Sequence, residues 1–277
     1  MEIIKYILYF FIYSFLGWTV ESIGCSIASK RIINRGFLNG PICPVYGFGA
    51  VIVISLLGRF NNVVIVFLLG MILTTILEYF TGFILETLFH AKWWDYSDRK
   101  FNIKGRVCLK NAIYFGVMSV LIIRFIHPFI KYFVSIIPYR ILISMAIITT
   151  LWTILDLIVT IITLKKLDIK LNLLDDIITD LNDINVKLDK FDRGEIQALF
   201  KTINNDELEV REKINKINSK LDRIESNIIL QKRVIKAFPH IKHKKQQEQL
   251  EHFKKIINEK RYLYNLMKTN RIMVFIR

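Results

Sequence analysis

The chain has 277 residues, 53% of them hydrophobic, with 39 Lys+Arg against 24 Asp+Glu. Residues 1–164 hold only 7 acids and 14 bases, whereas residues 165–277 hold 17 acids and 25 bases. One nearly charge-free half followed by a charged half excludes a single globular core, a secreted disulfide scaffold and a disordered chain. The fold class it predicts is all-α: a polytopic membrane helix bundle over 1–164, then a charged helical tail over 165–277.

A membrane helix needs roughly 20 predominantly apolar residues. Ile3–Ile27, Val63–Phe89 and Ile141–Leu164 reach that length, and Val45–Leu57 and Leu109–Phe125 reach it only with their flanks. Five spans are therefore expected, over about 3–27, 44–58, 63–89, 109–126 and 141–164. The first is too long for a cleavable leader, carries Glu21 and lacks a small-residue cleavage site. Basic residues concentrate after span one (Lys30, Arg31, Arg35), after span three (Lys92, Arg99, Lys100, Lys104, Arg106, Lys110) and at the start of the tail (Lys165, Lys166). The positive-inside rule then predicts a multi-pass cell-membrane protein with its N-terminus outside and its tail cytoplasmic. Cys25, Cys43 and Cys108 would all lie near that side, where reduced thiols are expected, and their spacing does not suit a zinc site.

Shifting the sequence by 65 residues lays spans one and two over spans three and four without a gap. Gly17 and Glu21 fall on Gly82 and Glu86, Gly40 and Cys43 on Gly105 and Cys108, and Arg59-Phe60 on Arg124-Phe125. The expectation is two tandem helical-hairpin repeats plus one unmatched span, the hairpins running parallel as in some transporters. Chance similarity between apolar segments is the competing explanation.

Glu21, Glu78, Glu86 and Asp156 lie within spans, where an ionisable group normally faces a partner or a hydrated cavity. Glu78, Gly82 and Glu86 share one helical stripe, and Gly82 leaves room for a close approach. Arg35 and Arg106 are the natural counter-ions of Glu21 and Glu86. The set is thus either a structural clamp or a site for a cation, a proton or a charged solute. The loop after span one, Asn34-Arg35-Gly36-Phe37-Leu38-Asn39-Gly40-Pro41-Ile42-Cys43-Pro44-Val45-Tyr46-Gly47, is too rich in Gly and Pro for a regular helix before Val45. Such backbone survives near membrane depth only where its peptide groups are satisfied, the alternative being an ordinary interfacial turn. Trp93-Trp94-Asp95-Tyr96-Ser97 has the composition of an interfacial aromatic belt.

That first loop, the acids of spans one and three, and Trp93–Ser97 with Phe101-Asn102-Ile103-Lys104-Gly105-Arg106 resemble the ABC-transporter permease family called type IV, or CmpB-like, over about the first 160 residues. The resemblance implies a multi-spanning bacterial membrane protein of the permease type and names no substrate. No G-x-x-x-x-G-K-[ST] phosphate loop is present, so any ATPase would be a separate subunit.

In the tail, Leu167, Leu174, Leu181 and Leu188 recur every seven residues, with Leu164, Leu171, Ile178 and Asn185 at the companion positions. This pattern suits a dimeric coiled coil. Arg193-Gly194 interrupts it, a second run extends from Ile196 through Phe200, Ile203, Val210, Ile217, Leu221 and Ile224 to Ile235, Pro239 ends that, and a third helix is expected over Gln246–Lys268. A homodimeric coiled coil and an intrachain hairpin bundle both fit. Residues 226–277 carry 13 bases against 3 acids, which favours anionic headgroups of the lipid bilayer over nucleic acid, for which no motif is present. His240 and His243 are expected to be solvated.

The functional expectation is a transporter permease subunit with a carboxylate-lined site in the cytoplasmic half. The alternative is a non-transporting scaffold whose tail dimerises or recruits a partner. No nucleophile–base constellation lies within the spans, so no enzyme and no cofactor or metal is expected.

Overall fold

The computed structural model describes residues 2–189, 205–226, 228–259 and 262. It divides into two compact units, one of residues 1–163 with 233–242 and one of 164–232 with the described residues from 243 onward.

The first unit is an all-helical bundle. α1 (Glu2–Ser29) and α2 (Pro44–Leu57) form one packed pair, α3 (Val63–Phe89) and α4 (Leu109–Leu121) a second, and α2 also packs on α3. α2 starts where the sequence permits it, with Pro44 at its first position, where a missing N–H is harmless. α3 is capped by Asn62, whose side chain accepts from the Val64 and Ile65 amides at 2.8 and 3.3 Å. α4 does not stop at 121. It passes through a π-helical turn (Ile122–Ile126) into α5 (His127–Ile136). Pro128 supplies no N–H and crowds the preceding turn, and the wider turn absorbs both effects.

One span boundary therefore differs from expectation. The fourth apolar helix runs continuously over Leu109–Ile136, not to 126. Pro44–Leu57, at 14 residues, rises only about 21 Å against a hydrocarbon core of about 30 Å. Four helices, Glu2–Ser29, Val63–Phe89, Leu109–Ile136 and the apolar part of α6 (Tyr139–Asp189), have the length and composition to cross a membrane. Their outward faces are apolar, with Phe129, Trp152 and Leu155 each about two-thirds exposed. Contiguous exposed apolar surface of that kind marks contact with lipid. Between helices, Leu8, Tyr9, Tyr13, Ala50, Ile54, Ile130, Val134, Leu142 and Ala146 form a core drawn from α1, α2, α5 and α6.

The second unit contains the lower part of α6, α7 (Asn205–Glu225), the start of α8 (Ile229–Ala237) and α9 (Gln247–Asn258). Leu171, Leu174, Ile177 and Leu181 are almost completely buried within the single chain, as are Ile217 and Ile224 of α7 and Leu250 and Phe253 of α9. Lys220 bridges back to Asp180 at 2.7 Å and Asp176 at 3.7 Å, and the Gln249 amide reaches Asp175 at 2.5 Å. The heptad face over Leu164–Leu181 is thus covered within the chain, as in the hairpin-bundle alternative. The interruption at Arg193-Gly194, the run Ile196–Ile203 and the end of the third helix past residue 262 lie outside the described residues.

Candidate functional site

The connection between α1 and α2 has little regular structure, and side chains hold several of its peptide groups. The Arg35 amide donates to Ser22 Oγ at 3.2 Å, and Gly36 donates to Asn34 Oδ1 at 3.0 Å. Asn34 in turn accepts from the Trp18 indole at 2.7 Å and donates to the Asn39 carbonyl at 2.8 Å. Cys43 donates to the Ser14 carbonyl at 3.0 Å. Asp156 of α6 is the main fastener: it accepts from the Asn39 amide (3.0 Å), the Asn39 side chain (2.8 Å) and the Gly40 amide (2.7 Å). A carboxylate with this many donors is satisfied without a cation. A side chain on Gly40 would crowd it, since a Cβ there would lie 3.1 Å from Asp156 Oδ2. Pro41 is exposed at the tip.

From the other direction, Arg233 of α8 forks onto the same loop. Its Nη1 donates to the carbonyls of Gly36 (3.0 Å) and Leu38 (2.9 Å), and its Nη2 donates to that of Phe37 (3.1 Å). Arg35 donates to the Ala237 carbonyl and lies 4.6 Å over the Phe238 ring.

The connection between α3 and α4 is more ordered. Asn102–Ile103 pairs antiparallel with Val107–Cys108 across Lys104-Gly105-Arg106. Gly105 has φ +70°, and a Cβ there would meet Asp95 and Ser97 at 2.5 Å, so only glycine serves. The Trp94 indole donates to the Arg106 carbonyl at 2.8 Å, and Tyr96 donates to the Gly105 carbonyl at 2.8 Å. Asp95 accepts from Ser97 and pairs with Lys242 at 2.7 Å. Burial raises the Asp95 carboxyl, but the hydrogen bonds from Lys242 and Ser97 outweigh it and hold the group well below its usual range. Trp93 is not at an interfacial belt: it is 4% exposed and packs edge-on against Phe37 (5.1 Å) and Phe238 (4.9 Å).

The four acids receive four different environments. Glu86 is closed off: Arg106 reaches its Oε2 through Nε at 2.8 Å and Nη2 at 2.7 Å. Arg106 also donates to the Tyr79 hydroxyl at 3.0 Å and lies over the Tyr79 and Phe83 rings. Gly82, between Glu78 and Glu86, admits loop three itself, with Trp94 and Arg106 packed where a side chain would stand. Asp156 is consumed by loop one. Glu21 is half-open, accepting from the Tyr46 hydroxyl at 2.6 Å and standing 3.7 Å from Arg35. Tyr46 approaches α1 this closely because Gly17 leaves the space, a Cβ at 17 falling 2.3 Å from the Tyr46 ring. Gly47 likewise sits against Ser14.

Glu78 differs from the other three. It is 7% exposed, and its Oε2 has no hydrogen-bond partner among the described residues. Asn111 of α4, the Tyr96 hydroxyl and the Glu21 carboxylate face it. Tyr96 interacts with both acids and with Cys108, and burial followed by Glu78 and Glu21 raises its hydroxyl, keeping it a proton donor. Burial pushes the Cys43 thiol up to about 12, with Glu21 adding to it. All three cysteines are free. Two carboxylates, two phenols and an amide offer oxygen ligands and exchangeable protons suited to a proton or a small hard cation. No group of three His, Cys, Asp or Glu that could hold a metal ion occurs among the described residues.

Asn39, Tyr79, Asn111, Thr160 and Arg233 complete these arrangements and were not singled out from sequence. Two had a usable signal. Asn111 stands 65 residues after Tyr46, and Thr160 lies one turn after Asp156, where it accepts from Asn39 at 3.0 Å. Arg233 had none.

No curated protein and no solved structure matches the chain. The family model described as "Putative ABC-transporter type IV" matches residues 8–161, which contain both loops and all four acids. With that match covering more than half of its length, the chain belongs to this family of membrane proteins.

Proposed function

We propose that the chain is the non-catalytic membrane subunit of a transporter, and that Glu78 and Glu21, with Tyr46, Tyr96 and Asn111, form its polar site in the cytoplasmic half. The observation that carries this reading is the buried, unpartnered Oε2 of Glu78 beside a second carboxylate. A scaffold has no use for a carboxylate oxygen left open in its interior, whereas a transporter needs a group that a cargo or coupling ion can complete. Glu86–Arg106 and Asp156–loop one act as the frame around it.

The bias of Lys and Arg puts loops one and three and the tail on the cytoplasmic side. Loop one, with peptide groups held by Ser22, Asp156 and Arg233, lets the short α2 complete a crossing, which leaves the N-terminus outside. α2 and α4 begin 65 residues apart, each directly after a buried cysteine in extended conformation, which supports reading the two hairpins as tandem repeats. ATP hydrolysis falls to a separate subunit, as these 277 residues hold no phosphate loop.

The test is hydration of the site. In a cysteine-free background, Glu78→Cys in inside-out vesicles should react with a charged, membrane-impermeant thiol reagent, and the lipid-facing control Ile84→Cys should not. Failure of Glu78→Cys to react from either side of the membrane would leave Glu78 a sealed structural acid and remove the transport reading.

A further inference from the structure

On the side of the acids away from loops one and three, the bundle holds a second group of titratable side chains. Tyr9 and Tyr13, one turn apart on α1, both pack on His127 at the start of α5, with ring centroids 4.8 and 6.4 Å from the imidazole. Both tyrosines are buried. Around them the core takes Ala50 and Ile54 from α2, Ile130 and Val134 from α5, and Leu142 and Ala146 from α6, all apolar. His127's own helix brings two charges. Lys131, one turn on, acts on the imidazole, and Arg124, three residues before, is drawn off to the carbonyls of Phe60 and Asn61.

The packing is apolar, yet polar atoms within it are left open. The Tyr13 hydroxyl and His127 Nδ1 are buried with no hydrogen-bond partner among the described residues, and so is the hydroxyl of the adjoining Ser14. A buried polar atom left unmade carries its full desolvation cost, so such atoms are rare. Tyr13 and His127 belong to neighbouring rings, and one small polar occupant can complete both. No group of side chains that could hold a metal ion occurs among the described residues, and the walls offer no set of oxygen ligands. The occupant that fits is water, and the ion that water can deliver to an imidazole is a proton.

Local structure places these groups. His127 is the first residue after the π turn, and its amide donates back to the Ile122 carbonyl. A π turn inserts a residue and re-aims those that follow, and such turns recur at functional sites. On α1, Ser14, Gly17 and Glu21 are spaced i, i+3 and i+7 along one stripe. Gly47 sits against Ser14 and Tyr46 against Gly17, and the Tyr46 hydroxyl then meets Glu21 at 2.6 Å. On α3, Thr75 precedes Glu78 by one turn, and its hydroxyl too is buried without a partner among the described residues. Ser14 and Glu21 are separated by about 11 Å along α1.

We propose that Tyr13 and His127 form a proton-binding site reached by water, and that Ser14 and Thr75 line the way from it to Glu21 and Glu78. The step is a plain exchange: Nδ1 takes a proton from hydronium, leaving water, and returns it to water when the site empties. Only the use of that proton as the coupling ion rests on the transport reading; the site itself does not.

The test is solid-state NMR of the full-length chain in lipid bilayers, with its histidines isotopically labelled. His127→Gln assigns the His127 signals among the five histidines by their loss. Magnetisation should pass from water to the His127 ring, and the ring signals should move as the imidazole charges between about pH 8 and 5. Tyr13→Phe removes one hydroxyl, whose support through water favours the neutral ring, and should raise the midpoint by about half a unit or more. A ring that neither titrates in that range nor receives magnetisation from water overturns the site and leaves a packed aromatic core. A titration that Tyr13→Phe leaves in place overturns the pairing of Tyr13 with His127. A titrating His127 beside an unreactive Glu78→Cys would keep the proton site and remove the transport reading, and a reactive Glu78→Cys beside a silent His127 would do the reverse.

Discussion

Glu21 and Glu86 stand 65 residues apart and each faces an arginine, Arg35 and Arg106, yet the two pairs end in different states. The first is closed, with two bonds of 2.7 and 2.8 Å and side chains only 4% and 13% exposed. The second is 3.7 Å long, with side chains 36% and 23% exposed. The cause lies in the loops. Loop three is a hairpin seated on Gly82, which fixes Arg106 beneath Tyr79 and Phe83. Loop one has no strand pairing, and its Arg35 is shared among Glu21, the Ala237 carbonyl and the Phe238 ring. A rigid loop turns an acid–arginine pair into a clamp, and an irregular loop leaves it able to exchange partners.

The largest expected effect breaks the clamp. Glu86→Gln leaves Arg106 buried without its charge partner, a change worth about 3–5 kcal/mol. Glu21→Gln, at a more exposed pair, should stay within about 1 kcal/mol. Thermal unfolding in detergent measures both, and equal losses would abolish the distinction between the two loops.

Asp156→Asn tests whether loop one depends on its inner fastener. An asparagine keeps one acceptor and turns an amide toward the Asn39 and Gly40 donors, so a loss of about 1–3 kcal/mol is expected. Protease cleavage within residues 34–43 should accelerate with it. A stable, protease-resistant variant would mean that the loop is held chiefly by Arg233.

Glu78→Gln should behave unlike either. Its charge is desolvated by burial but supported by Asn111 and Tyr96, so removing it should change stability by no more than about 1 kcal/mol. Ligand- or transport-linked function should be lost. A destabilisation as large as that of Glu86→Gln would make Glu78 a third structural acid.

The smallest effect concerns Asp95–Lys242, whose lysine side chain is 57% exposed. The Asp95 carboxyl is lowered in the folded chain, so its contribution is present above its unfolded value of about 4 and fades as pH falls through the folded one. The hydrogen bond and charge of Asp95 raise Lys242, whose contribution is present below its unfolded value of about 10 and fades as pH rises through the folded one. The difference in unfolding temperature between wild type and Lys242→Ala should therefore be flat between about pH 5 and 9. A difference near zero across that window would show that the pair is not held in solution.

Much of this architecture was legible before any coordinates. Long apolar runs separated by basic loops gave the helices of the membrane unit their approximate positions, and Pro44 marked a true helix start. The two departures, one helix end and one buried tryptophan, have local causes with non-local resolutions. The fourth span was expected to end at about 126, but Arg124 donates to the carbonyls of Phe60 and Asn61, and the π turn carries the helix on through Pro128. Trp93 had the composition of a belt residue and is a core residue, because Phe37, Phe89 and Phe238 arrive from three other segments.

The amino-acid sequence by itself determined which residues are too apolar for water, which loops must be irregular, and which four acids sit among apolar helices. Those properties follow from composition and period over a few turns of chain, and no distant residue alters them. Only the tertiary structure decided what each acid does. A carboxylate's role depends on which donors stand within 3 Å, and these come from loop one for Asp156, loop three for Glu86, α2 for Glu21 and no described residue for the Glu78 Oε2. The return of Arg233 to loop one belongs to the same class: it joins residues nearly 200 positions apart, a pairing that no local pattern can carry.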